Sequence, residues 1–176
     1  MIRVWDPFVR AFHWALALSF AVAWLSSENM EFVHSAAGYV AGALVAARIA
    51  WGFVGPGYAR FSRFVRSPAM VLGYLNAIAE GSEPRFIGHN PAGGAMIVVL
   101  LAAMSAAVAT GWLLTTDALW GSKAAQHLHS LVAHGVLLLV ILHVAGVALA
   151  SVRHRENLVR AMVLGVKRAA EPGDVA

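Results

Sequence analysis

Between residues 128 and 150 the chain carries no Asp, Glu, Lys or Arg, yet it holds His129, His134 and His143. A helix of that length and apolarity crosses a bilayer. Ionisable groups inside such a segment are costly and by default functional. His129 and His143 are fourteen residues apart. In a helix that spacing rises about 21 Å and returns to within about 40° of the same face. Two imidazoles on one stripe at two depths point to two redox-metal sites stacked across a membrane. Haem iron held by histidine is the leading candidate.

Three more apolar stretches accompany this one. Residues 7–25, 31–53, 91–114 and 122–152 reach or approach spanning length. The chain is 60% hydrophobic and 12% charged, which excludes a disordered chain and argues against an ordinary soluble domain. The first stretch reads as a retained helix rather than a cleaved signal. A single Arg precedes Trp5-Asp6-Pro7, and no small-residue cleavage site leads into a soluble domain.

Charge sets the orientation. Arg3 and Arg10 precede or open the first helix; Arg60, Arg63, Arg66 and Arg85 lie between the second and third. Arg153, Arg155, Arg160, Lys167 and Arg168 follow the fourth. Lys123 stands alone on the other side, beside Glu28, Glu31 and Asp117. The basic excess tracks membrane sidedness and not nucleic acid, so both termini and the central loop are expected to be cytoplasmic. The expected fold is an all-α integral membrane four-helix bundle, multi-pass in a bacterial inner membrane, with lipid as its first partner. Residues 1–168 form one domain and 169–176 a mobile tail. A short helix over 69–80, with Met70, Val71, Tyr74, Leu75 and Ile78 on one face, lies in the interface or in an ordinary loop.

Local signals mark the helix starts. Asp6-Pro7 and Asn90-Pro91 each place a capping side chain before a proline suited to the first helical position. Ser27 and Ser122 are candidate caps for the second and fourth helices, each seven residues before a histidine, His34 and His129. With no cysteine, iron–sulfur ligation, covalent haem attachment and thiol chemistry are excluded. The eight histidines are then the main soft ligands.

Helix direction sorts them by depth. His13 lies about two turns into the first helix from the inside, and His143 a little over two turns from the inner end of the fourth. These two can meet at an inner site. His34 and His129 both lie about two turns from the outside and can meet at an outer one. The third helix has no histidine and only packs. A core histidine bonded to a neighbouring helix is the alternative for each. His134 points about 140° and His127 about 200° away from the His129 stripe. His89 sits in a loop. His154 falls near the His143 face at headgroup level and is the strongest competitor. Arg10, one turn before His13, and Arg48, fourteen residues after His34, are candidate partners for haem propionates. Snorkelling to lipid headgroups explains them equally well. Gly38 and Gly42 permit a close approach, to a haem face or to another helix. The six tryptophans fall mostly near helix ends, as an interfacial belt does.

Taken in order, several strings resemble one family. They are Val4-Trp5-Asp6-Pro7 with Phe12-His13-Trp14; His34 with Gly38-Tyr39; and Ala47-Arg48-Ile49-Ala50-Trp51-Gly52-Phe53. Gly88-His89-Asn90-Pro91-Ala92-Gly93-Gly94, Leu128-His129, Leu142-His143 and His154-Arg155-Glu156-Asn157 complete the set. Over about residues 2–168 the chain resembles the bacterial di-haem cytochrome b family, which covers the b-561 cytochromes and the nickel–iron hydrogenase cytochrome b subunit. The resemblance implies two bis-histidine b haems on His13, His34, His129 and His143, moving electrons between a quinone pool and a partner. That partner would be a periplasmic c-type cytochrome or a hydrogenase. The loop between the third and fourth helices is short compared with b-561 members, and hydrogenase-linked members often have longer connections, which leaves the partner open; a second copy of the chain, as a homodimer, is a further candidate. A self-contained superoxide:quinone oxidoreductase is the alternative function. It would want a positive outer funnel, and Lys123 among acidic loop residues makes a poor one. A non-haem metal transporter would want carboxylates beside the membrane histidines, and none is there.

Overall fold

The computed structural model describes residues 1–175. It is an all-α membrane helical bundle with four helices long and apolar enough to cross a bilayer: α1 (Pro7–Ser26), α2 (Glu31–Val54), α5 (Pro91–Leu113) and α6 (Lys123–Arg153). Between α2 and α5 come a 3-10 turn (Gly57–Ala59), α3 (Phe61–Phe64) and α4 (Pro68–Glu80); α7 (Leu158–Leu164) follows α6. The spanning helices agree with the apolar stretches to within a residue or two at most ends.

The caps explain where the helices begin. Asp6 Oδ1 accepts the Val9 amide at 3.1 Å, Asn90 Oδ1 the Gly93 amide at 2.6 Å, and Ser122 Oγ the Ala125 amide at 3.4 Å. Ser67 caps α4 and Asn157 caps α7 through the amides of Met70 and Arg160. Ser27 is a correction. Its hydroxyl donates back to Trp24 O at 2.9 Å, inside the last turn of α1, so it cannot cap α2, which starts at Glu31.

The chain divides into two compact units. The first comprises residues 1–10, 51–99 and 141–176, and the second 11–50 and 100–140. In the first, β1 (Ile2–Arg3) pairs antiparallel with β2 (Val166–Lys167), Ile2 opposite Lys167. Val4, Trp5, Ile87 and Ala161 form a buried cluster beside this ribbon. Arg85, Glu156 and Lys167 are buried with it. Arg85 Nη2 lies 2.8 Å and Lys167 Nζ 3.3 Å from the Glu156 carboxylate. Lys167 also donates to the carbonyls of Phe86 and Ile87, both at 3.1 Å. Asp174 pairs with Arg85, and the Val175 amide donates to Arg85 O at 2.8 Å. Residues 174 and 175 of the expected tail are therefore held against the loop before α5; Ala176 lies outside the described residues. In α4 the buried face is centred on Tyr74, while Met70, Leu72 and Leu75 are exposed.

In the second unit, α2 and α5 approach closely at Gly42. A Cβ there would come within 2.8 Å of Val108 Cγ1, so this position admits glycine alone without a shift. Of the two glycines noted in α2, Gly42 serves helix packing. Gly38 faces open space, with nothing within 4 Å of where its Cβ would stand.

Candidate functional site

His34, in the first turn of α2, and His129, in the second turn of α6, face each other within the second unit. Their ring centroids are 6.1 Å apart, with the planes at 86°. Two imidazoles bonding one metal from opposite sides at about 2.0 Å each would have centroids about 6 Å apart. The spacing would suit His34 and His129 holding one haem iron between them.

Each ring is fixed through Nδ1. His34 Nδ1 lies 2.8 Å from Ala23 O. A carbonyl only accepts, so this nitrogen carries the proton. His129 Nδ1 lies 3.0 Å from Thr110 Oγ1. Thr110 has one hydroxyl proton, directed to Ala106 O at 2.8 Å and Ala107 O at 3.1 Å. Its oxygen therefore accepts from His129. Both rings are held as the Nδ1–H tautomer, and each Nε2 keeps its lone pair for a metal. This is how ligand histidines are commonly oriented by their second partners.

The surroundings fit a haem better than a bare ion. The face one turn beyond His34 is open at Gly38. No group of three or more His, Asp or Glu able to hold a metal occurs among the described residues. A bare cation wants more ligands than two, whereas a haem brings its own four nitrogens and asks the protein for axial ones.

The other expected pair is divided between units, His13 in the second and His143 in the first. His13 is half-buried on α1, with Trp14 edge-on at 5.0 Å. His143 is half-buried on α6. Arg48 is buried on α2. Arg10 lies in the first unit beneath the turn that ends α7. A Cβ on Gly165 would stand 2.7 Å from Arg10 Nη1 and 2.9 Å from Trp5 O, and its φ of +81° is glycine's own region.

The remaining histidines are placed differently. His134 is exposed, with Nδ1 2.7 Å from Ser130 O and Trp24 edge-on at 5.2 Å. His127 is exposed. His89 packs between Trp5 at 4.5 Å and Phe64 at 4.7 Å. His154 is half-buried beyond the end of α6, and burial pushes its pKa down, with Glu83 pulling the other way.

The sequence missed the part played by α5. Although it has no histidine, Thr110 orients His129, and the adjacent Gly111 lets the ring lie close: a Cβ there would be 3.1 Å from His129 Cε1. The signal was present as the threonine–glycine pair Thr110-Gly111 near the end of a largely apolar helix.

A family model described as prokaryotic cytochrome b561 matches residues 4–165, which include all four long helices. No curated protein and no solved structure matches the chain.

Proposed function

The chain belongs to the prokaryotic cytochrome b561 family, and from that premise we propose that it is a di-haem electron carrier linking the quinone pool to a redox partner protein. The coarser part follows from membership itself: it is a multi-pass membrane b-type cytochrome of electron transfer, and its family implies haem b. The observation that carries the finer reading is the facing pair His34 and His129, each with Nδ1 tied off.

In this reading His34 and His129 hold one haem. His13 and His143 hold the second, an assignment resting on their spacing in the sequence. Arg10 and Arg48 neutralise propionates. Held by these histidines, haem would supply a one-electron couple. The protein's own contribution is to fix the rings and exclude water. A quinone reaches the carrier from within the bilayer, and a periplasmic c-type cytochrome or a hydrogenase takes or gives electrons at the outer surface. Both termini lie in the cytoplasm of a bacterial cell and the bundle sits in its inner membrane.

Haem extraction with a protein assay should return two haems per chain. His34→Ala and His129→Ala should remove the same low-spin signal, while His13→Ala and His143→Ala remove the other. In liposomes a quinol analogue should reduce both haems. A ratio near one removes the second site. Haems inert to every quinone but rapidly reduced by superoxide would replace the carrier with an enzyme.

A further inference from the structure

Three helices end on a residue in the left-handed region. Two of these residues are glycines, Gly81 (φ 73°) after α4 and Gly165 (φ 81°) after α7. The third, after α6, is Arg155, at φ 49° the one non-glycine residue with positive φ among those described. The turn is a regular helix stop, with Glu156 N bonded to Ser151 O at 3.0 Å and Arg155 N to Val152 O at 3.2 Å. Glycine is the residue this turn prefers, and a long cationic side chain there carries a conformational cost. The backbone does not explain the arginine.

Its surroundings do. Arg155 borders a groove of about 480 Å³ walled by Val144, Val147, Ala148 and Val152 of α6 and by Val159 of α7. Ser151, Glu156 and Asn157 complete its polar end. Four neighbouring cations are engaged elsewhere, Arg153 with Glu83, Arg85 and Lys167 with Glu156, and Arg168 with Glu171, while Arg160 is exposed on α7 and does not line the groove. Glu156 is thereby neutralised at the groove floor. The Arg155 side chain is exposed and makes no hydrogen bond or ion pair with a described residue. An apolar wall on a spanning helix that ends at a free guanidinium matches one chemistry: an acyl chain joined to an anionic phosphodiester.

We infer that this groove binds an anionic phospholipid, with its acyl chain along α6 and its phosphate on Arg155. The charge distinguishes this occupant from a quinone, whose neutral ring would gain little from the guanidinium. None of the four histidines lines the groove, and the inference does not depend on the haem reading.

The test uses the full-length protein with its cofactors, in detergent, titrated with phosphatidylglycerol or phosphatidylcholine and read by native mass spectrometry. The wild type should retain phosphatidylglycerol about fivefold more strongly than phosphatidylcholine, the effect of one interfacial arginine. Arg155→Gly should abolish the preference while unfolding at no lower temperature, because glycine suits the turn. Arg155→Lys should keep most of it, and Arg160→Gln all of it. Equal retention of the two lipids by the wild type, or an unchanged preference in Arg155→Gly, overturns the assignment. So does displacement of bound phosphatidylglycerol by a neutral quinone at equal concentration, which would make the groove a quinone site.

Discussion

Replacing Thr110 with valine tests the site at its least conspicuous member. Valine keeps the shape and removes the oxygen that accepts from His129 Nδ1 at 3.0 Å. Two routes give the expected size. Leaving a half-buried N–H without its acceptor costs about 1–3 kcal/mol, or roughly 5- to 150-fold in an equilibrium constant. Second partners of metal-bound histidines are independently worth about 10- to 100-fold in affinity. The ranges overlap, so Thr110→Val should weaken retention of one haem by one to two orders of magnitude. It should also raise that haem's reduction potential modestly, because an imidazole without its Nδ1–H acceptor is a weaker donor to ferric iron while the ligand itself remains. Competition with apomyoglobin measures the loss, and a redox titration followed in the visible bands measures the potential. Thr110→Ser should behave as wild type. The second haem should not respond. If Thr110→Val held both haems as tightly as the wild type, the tautomer argument would fail, and with it the claim that α5 serves the site.

The buried ion cluster gives a second expectation. Glu156→Gln leaves buried Lys167 without its anion and Arg85 with Asp174 alone, and should cost about 3–5 kcal/mol of stability at neutral pH in a thermal melt. Burial alone would raise the Glu156 carboxyl, but the Arg85 hydrogen bonds, the Arg168 amide and the Lys167 charge outweigh it and hold the carboxyl below its ordinary value. A depressed carboxylate stabilises the fold above its unfolded pKa, and that stability is lost as pH falls below about 4.3; Glu156→Gln should flatten this acid limb. Tyr74 is pushed up to about 12, first by burial and then by the Glu83 charge. The difference between ultraviolet titrations of the wild type and Tyr74→Phe should therefore place the ionisation of the Tyr74 phenol above pH 11. A raised value stabilises below the unfolded pKa, about 10, and that contribution fades as pH climbs through 12. Gly165→Ala combines positive φ with contacts under 3.0 Å to Arg10 and Trp5; it should lower the melting temperature by several degrees, corresponding to more than about 1 kcal/mol.

The four spans and their starts were legible because apolar length and capping residues are local signals. Asp6, Asn90 and Ser122 cap as their positions imply. His34 and His129 were legible as a pair because helical periodicity and depth need no tertiary information. Thr110 was not, since a hydroxyl in a largely apolar helix looks like a residue bonding its own backbone, which Ser105 does in the same helix and Thr110 also does. Arg85 and Lys167 were read as loop charges marking the inner side. They are buried instead, because their partners come from distant parts of the chain: Glu156 and Asp174 lie 71 and 89 residues beyond Arg85. Ser27 misled because a serine just before a helix and a serine just after one look alike in sequence.

The ribbon of Ile2 and Arg3 with Val166 and Lys167 sets an order on biosynthesis. The strand Ile2–Arg3 leaves the ribosome before the four spanning helices, and its partner only after them. At about 5–20 residues per second, α1 enters the bilayer on the order of ten seconds or more before its leading residues can be paired. The Glu156 carboxylate and the Gly165 carbonyl that receives Val4 and Trp5 arrive in the same late interval. Until then Arg85 and the Trp5 cluster remain unsealed. Closing this seam is therefore a finishing step, taken after the spanning helices are in place, and a nascent chain stalled before residue 165 would present that open seam to membrane quality-control proteases.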